Sequence, residues 1–225
     1  MMNLIIDKQI SELLPGFRLG FIEYNHVVVS ETPKMAKGRI NLFLSTLRLD
    51  HSGNEGLTKI DGVKQWRQAF KALGMDPSRY RPSSEALLKR VLQEKPMYWV
   101  NGAVDVNNFL SMKFGLPFGI YNKDKINGDR ILCELGKSGY SYEGLNGRET
   151  SMEGKLVLTD DFSPFGSPIV DSTRTSIDET ATRLIQVIFI HPQLNEEQHA
   201  NLLESSAQLF TQINGGEVVS SGIVE

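Results

Sequence analysis

LPFGIYNKDKINGDRILCELGKSGYSYEGLNGRETSMEGKLVLTDDF, residues 116–162, holds four short β-type runs, FGIY, RILCEL, YSYEG and GKLVLTD, parted from one another by glycines. Strands this short, with turns this close, pair antiparallel. A doubly wound parallel sheet would need a crossover of a dozen or more residues between each pair. The pattern predicts a curved sheet or a partly closed barrel.

On the N-terminal side of that stretch, a helix is expected from about Ala103 to Phe114, ended by Gly115, with Asp105, Asn108 and Ser111 placed near Val104 on one side of it. Before it, Ser83 is expected to cap a helix running to Leu92, with Leu87, Leu88, Val91 and Leu92 on its buried stripe and Pro96 beyond its end. Val63, Trp66, Phe70 and Leu73 mark another helix, stopped by Gly74, after a polar, glycine-containing stretch at 51–62 that reads as a loop or a start signal. FRLGFIEYNHVVV (17–29) reads as one or two strands. Beyond the glycine-rich region, LIQVIFI (184–190) is a buried strand, and 217–224 is another. Between them lies a helix over 195–213, which Asn195 and Gln198 open as a capping box and Gly215-Gly216 closes. The expectation is a single α+β or α/β domain over residues 1–225, with mixed, partly barrel-like sheets and helices packed around them.

Composition limits the function. Hydrophobic residues make up 40% and charged residues 23% of 225, ordinary globular usage. No apolar run approaches the roughly 20 residues of a membrane helix. Asp7 and Glu12 interrupt what would be the apolar core of a leader. Cys133 is the sole cysteine, which excludes an intrachain disulfide and a thiolate-rich zinc site; a small buried residue is the expected role. These signals point to the cytoplasm. No phosphate loop and no Gly-x-Ser-x-Gly elbow occurs. Among His26, His51, His191 and His199 no pair has metal-ligand helical spacing, so neither metal nor cofactor is expected. SPFGS (163–167) lacks a nameable base and reads as a turn.

Net charge is −3, yet the charges are segregated. Lys64, Arg67, Lys71, Arg79, Arg81, Lys89, Arg90 and Lys95 are set against only Asp76, Glu85 and Glu94, whereas from residue 178 onward Arg183 stands alone among acids. The basic segment is either a phosphate-binding surface or the solvated faces of two helices. A second unusual feature is the polar run Asn101, Asp105, Asn107, Asn108 and Ser111 within apolar helical text. Asn and Asp are poor mid-helix residues, so these side chains either staple the helix to its surroundings or form the polar wall of a pocket.

NGAVDVNNFLSMKFGLPFGIYNKDKING (101–128), the Leu145-Asn146-Gly147 turn and KLVLTD (155–160) resemble, in order, the editing module of the phenylalanyl-tRNA synthetase beta subunit, its third and fourth domains. WRQAFKALGMDPSRYRPSSEALLKR (66–90) and DSTRTSIDETAT (171–182) are similar to a free-standing branch of that family. The resemblance is strongest over about 60–190. It implies a module that binds the charged acceptor end of tRNA and hydrolyses a wrongly attached amino acid. The other domains of the synthetase are missing, so ligation is excluded. Phe118 replaces a histidine of the family pattern, Tyr121-Asn122 replaces Phe-Asp, and Gln186 stands where the pattern has glutamate.

By that resemblance Asn101, Asp105, Asn107 and Asn108 would lie at the polar wall, and Phe118, Tyr121 and Asn122 would line the amino-acid pocket. Asp171, Arg174 and Thr175 would form the opposite lip, with Gln186 beneath, and Lys64, Arg67, Lys71, Arg79, Arg81, Lys89 and Arg90 would hold RNA phosphate. Two functions, from different classes, are compatible with this text. One is a trans-acting aminoacyl-tRNA deacylase that positions water rather than attacking with a side chain. The other is a non-enzymatic binder of a tRNA end or of a small amino-acid-like ligand.

Overall fold

In chain order the elements are β1 (Asn3–Ile6), α1 (Lys8–Leu13), β2 (Arg18–Asn25), α2 (Lys34–Asp50), α3 (Asp61–Ala72), α4 (Ser83–Leu92), α5 (Gly102–Phe114), β3 (Phe118–Asn122), β4 (Arg130–Leu135), β5 (Ser141–Glu143), β6 (Glu149–Ser151), β7 (Leu156–Thr159), β8 (Pro164–Gly166), β9 (Leu184–Ile190), α6 (Glu196–Asn214) and β10 (Glu217–Val224). This is a computed structural model, and it describes residues 2–51 and 56–225. Of the loop or start signal expected at 51–62, residues 52–55 lie outside the described residues. Gly56–Lys59 form a short 3-10 turn, and α3 begins at Asp61.

The protein is α+β. One sheet has the order β10-β2-β9-β3 and is antiparallel throughout. Leu184–Ile190 is buried at every position because β9 sits between β2 and β3, which explains an apolar run broken only by Gln186 where a half-exposed strand would alternate. The second sheet, β1-β4-β7-β8, is mixed: β1 runs parallel to β4, and β4, β7 and β8 alternate. β5 and β6 form a separate hairpin. Among the described residues no sheet closes on itself, so the curved-sheet expectation holds without a closed barrel. One apolar core takes residues from both four-stranded sheets and includes Trp66, Phe165 and Phe210. Cys133 is fully buried, and His191 is buried with Nδ1 accepting from the Gln193 N–H (3.3 Å). No helix is long and apolar enough to cross a membrane, among the described residues.

Local signals place the helix ends well where they are self-contained. Gly115 caps α5 with φ +66°, and Asn195 and Gln198 make the reciprocal box that opens α6. Two expectations are corrected. Ser83 is not a cap; α4 already includes it, behind Pro82, and its N–H donates to the Pro168 carbonyl (2.7 Å). SPFGS is not a turn; Pro164–Gly166 pair with β7, and the Ser167 hydroxyl accepts the N–H groups of Ile169 and Val170. A 17-residue helix, α2, occupies a stretch for which the sequence suggested no element.

α4 ends on a stop that redirects the chain. Glu94 N–H bonds the Val91 carbonyl (2.9 Å) and Lys95 N–H bonds the Arg90 carbonyl (3.1 Å), a paired-bond helix end with Glu94 at φ +56° in the place usually held by glycine. The stop turns the chain into residues 95–100, a strap that crosses from α4 to the start of α5.

Candidate functional site

α4, the strap, α5 and β3 enclose a groove of about 860 Å³. Its first wall is one face of α4, with Ala86, Leu87 and Arg90 at helical spacing, joined by Arg81, Lys89 and Lys95. Arg90 lies over the Tyr98 ring (3.9 Å to the centroid) and donates to the Pro96 carbonyl (2.7 Å), so it braces the strap. Tyr98 itself is 69% exposed, at the mouth. The second wall comes from α5 and β3: Val104, Asn107, Asn108, Phe118 and Ile120. Leu145, Ile169, Val170, Asp171, Ser176 and Ile177 close the far side. Four of the lining side chains are cationic and a single one, Asp171, is acidic. Among the described residues no cluster of His, Cys, Asp and Glu is arranged to hold a metal.

The floor is a one-way hydrogen-bond chain. Tyr24 Oη donates to Gln186 Oε1 (3.2 Å), Gln186 Nε2 donates to Asn107 Oδ1 (2.9 Å), and Asn107 Nδ2 donates to the Phe118 carbonyl (3.2 Å). Gln186 and Tyr24 are fully buried. Burial holds the Tyr24 phenol protonated well above its usual range, which keeps it a donor. Gln186 is therefore beneath the groove and not in its lining, and it acts through Asn107. Asn108, the next residue, lines the groove with its side-chain amide making no hydrogen bond among the described residues.

Asp171 is half-buried at the groove's far side, where Oδ1 accepts from Tyr121 Oη (2.8 Å) and from Ser167 N–H (3.2 Å). Burial pushes its carboxyl up to about 7, against the downward pull of those two donors. Tyr121 is fully buried, its phenol pushed far up by burial and by the adjacent Asp171 charge. Its ring threads between two glycines: a Cβ at Gly119 or at Gly166 would overlap the Tyr121 hydroxyl. Absence of side chains at both positions is what lets the phenol reach Asp171.

Residues 65–212 match the family described as the B3/4 domain. The chain belongs to the B3/4 domain family. Among relatives of this B3/4 domain, the uncharacterized protein YhzB of Bacillus subtilis is 26% identical over 215 residues, covering 96% of each chain. The phenylalanine--tRNA ligase beta subunit of Streptomyces avermitilis is 29% identical over 117 residues, which are 51% of this chain and 14% of the ligase subunit. That of Bartonella henselae is 34% identical over 89 residues, 38% of this chain and 11% of the subunit. The B3/4 chain thus spans nearly all of the Bacillus protein and a small part of either ligase subunit. A solved N-terminal fragment of the Pyrococcus horikoshii phenylalanyl-tRNA synthetase beta subunit covers 99% of this chain and 54% of its own, at TM-score 0.46 and 10% identity.

The B3/4 groove gathers some of the expected residues and leaves others outside. Asn107, Asn108, Phe118, Asp171, Arg81, Lys89 and Arg90 line it. Asn101 instead caps α5, accepting from Val104 N–H (2.9 Å), and Asn122 caps a 3-10 turn through Asp124 N–H (3.0 Å). Asp105 faces away, accepting from Val100 N–H (3.0 Å) and from the Thr32 hydroxyl, and so ties the strap to α5; burial raises its carboxyl against the pull of the Thr32 hydroxyl and the Val100 N–H. Arg174 is spent on Asp160 (3.0 Å) and on the carbonyls of Lys125 and Ser163. Thr175 is buried, its Oγ1 without a partner among the described residues. Lys64, Arg67 and Lys71 line a separate shallow depression of about 250 Å³ on α3, and Arg79 packs over Tyr80. The buried Glu85 explains this split: it takes a two-point bond from Arg67 (2.9 and 2.6 Å) and a third from Arg81 (3.0 Å), clamping α3 to α4. Sequence reasoning missed Tyr24, Tyr98, Leu145 and the Ile169–Val170 edge. Only Tyr98, an aromatic just after Pro96 and the basic run, left a usable signal.

Proposed function

We propose that this protein receives the aminoacylated 3′ end of a tRNA in the groove and hydrolyses the ester in trans. The observation that carries the reading is the polarity of one continuous cavity. A cationic wall (Arg81, Lys89, Arg90, Lys95) leads into a neutral interior of Leu87, Val104, Phe118, Ile120, Ile169 and Ile177 over an amide floor. Cations suit a phosphate backbone, and a largely apolar recess suits an amino-acid side chain. Membership of a family that also occurs within tRNA ligase subunits supports the same direction.

In such a site a water oxygen attacks the ester carbonyl carbon, the bond to the ribose oxygen breaks, and that oxygen takes up the proton the water gives off. The residues present favour stabilising the carbonyl oxygen over covalent attack. The free amide of Asn108 is a donor at the wall, and among the described residues no imidazole or thiol lines the groove. Phe118 makes the recess dry, so neutral, mainly apolar aminoacyl groups are preferred over tyrosyl, with discrimination of about 10- to 200-fold against a change of one methylene.

That same lack of an imidazole among the lining residues favours a second reading, a binder without hydrolysis. One experiment separates the two: a panel of correctly and wrongly charged tRNAs, followed for ester loss and for binding. Ester loss from apolar aminoacyl-tRNAs supports the deacylase. Binding with every ester intact supports the second reading. No binding of any charged tRNA refutes both.

A further inference from the structure

The groove's charge is not of one sign. Opposite the cations of α4 and the strap stands one carboxyl, Asp171, held in a defined orientation. Tyr121 Oη and Ser167 N–H both approach the same oxygen, Oδ1. Oδ2 makes no hydrogen bond among the described residues, and Asp171 lines the cavity. No lysine or arginine pairs with it among the described residues, although acids elsewhere, such as Glu85 and Asp160, have taken theirs. A carboxyl kept part-way out of water, oriented by two donors and left without a counter-ion, lacks only a cation.

We propose that Asp171 is the specificity-determining contact for a free primary amine on the ligand, so that the groove selects acyl groups carrying an unblocked α-ammonium. This deepens, and rests on, the reading of the groove as a site for the aminoacylated end of tRNA. The ligand class that fits both ends of the cavity is dipolar, with phosphates against Lys89, Arg90 and Lys95 and an ammonium against Asp171 Oδ2. The apolar side chain then lies against Phe118 and Ile120, between those two ends. A peptidyl or formylated ester keeps the phosphates and the acyl carbonyl but offers no cation, and it leaves the carboxyl buried and unpaired. Tyr121 is a positioning residue here. It holds Oδ1 by its hydrogen bond, which leaves Oδ2 available to a guest, and it does not itself touch the ligand.

The test uses the whole protein and three hydrolysis-resistant mimics of the acceptor end. Each is a short CCA oligonucleotide with phenylalanine joined to the terminal ribose by an amide, carrying a free amine, an N-acetylated amine, or no amine. Calorimetric titration at pH 8 is expected to show the free-amine mimic binding about 10-fold or more tightly than either other mimic. In Asp171→Asn the three are expected to converge, while the salt dependence of binding, set by the cationic wall, stays as in the wild type. Should the asparagine variant fail to fold, the wild-type comparison decides alone, and Tyr121→Phe, which keeps the carboxyl but lets it turn, is expected to keep a weaker preference for the amine. Equal wild-type affinity for the three mimics overturns this assignment while leaving the tRNA-end reading intact. So does an Asp171→Asn variant that keeps the amine preference and loses only turnover on the ester substrate. Failure of all three mimics to bind overturns the tRNA-end reading and this inference with it.

Discussion

Replacing Asp171 with asparagine is expected to leave the protein's stability nearly unchanged at low pH and to raise it at high pH. The folded chain holds the Asp171 proton up to about pH 7, whereas an unfolded carboxyl near 3.8 has already released it. Across that window the folded state binds more protons, so this residue makes the wild type less stable as pH rises, the reverse of a salt-bridged acid. Integrated between pH 5 and pH 8, the loss is about 2–3 kcal/mol. Asparagine has no charge to lose. It still accepts from Tyr121 and Ser167 about as well as the neutral carboxyl that the folded wild type carries at pH 5. Asp171→Asn should therefore match the wild type within about 1 kcal/mol at pH 5 and be more stable by about 2–3 kcal/mol at pH 8. Tyr121 and Tyr142, the phenols facing Asp171, stay protonated throughout because burial raises both. Asp105, His191 and His199, whose own titration is also shifted, are common to both proteins and cancel. Urea unfolding of the two proteins at pH 5, 6, 7 and 8 measures the gap. A gap that stays constant, or that moves against the variant as pH rises, would show that the carboxyl is not desolvated as described.

Removing charge from the groove wall with Lys89→Ala and Lys95→Ala should weaken tRNA binding and lower the slope of log affinity against log salt by about 1 per residue, whereas Lys64→Ala on the α3 depression should leave both unchanged. Gly119→Ala forces the Tyr121 hydroxyl away from Asp171 and should cost about 1–3 kcal/mol in unfolding free energy; a thermal melt matching wild type would show that the ring has room to move. Gln186→Glu removes the donor to Asn107 Oδ1 and should destabilise the fold by about 1–3 kcal/mol, so that installing glutamate alone lowers stability before it alters any substrate preference. Asp105→Ala strands the Val100 N–H and the Thr32 hydroxyl, with a similar loss, and should shift the emission of Trp99 on the strap; unchanged emission would mean that the strap is held by other contacts.

The parts of the fold that were legible in the sequence are those whose signal is local. LIQVIFI needed only its own apolar run, and α6 needed only Asn195, Gln198 and two glycines. α2 escaped because its buried Ala36, Ile40 and Leu44 alternate with exposed Met35, Leu42 and Leu49, which blurs the stripe that would reveal an amphipathic helix. β8 escaped because three residues become a strand only by pairing with β7. The groove was half legible. The basic text and the Asn107-Asn108 pair were visible, but the sequence cannot show that one buried acid, Glu85, draws Arg67 and Arg81 together and divides the cations between two surfaces. Nor can it show Tyr121 meeting Asp171, fifty residues later in the chain. Asp105 and Asn101 illustrate the opposite difficulty: their residue types suit a pocket wall and a helix cap equally, and only the backbone decides.

The chain from Tyr24 to Phe118 has a sense of direction that cannot be turned around. A hydroxyl or an amide can swap its donor and acceptor roles, but the last group is a backbone carbonyl, which can only accept. Every amide upstream is thereby locked in one orientation, and the hydrogen of Asn107 not given to Phe118 points in one fixed direction before any guest arrives. A guest that accepts that hydrogen finds it already aimed, with no rotor left to freeze. A change at 24, 107 or 186 alone therefore strands a donor or an acceptor at the next position in the chain of bonds.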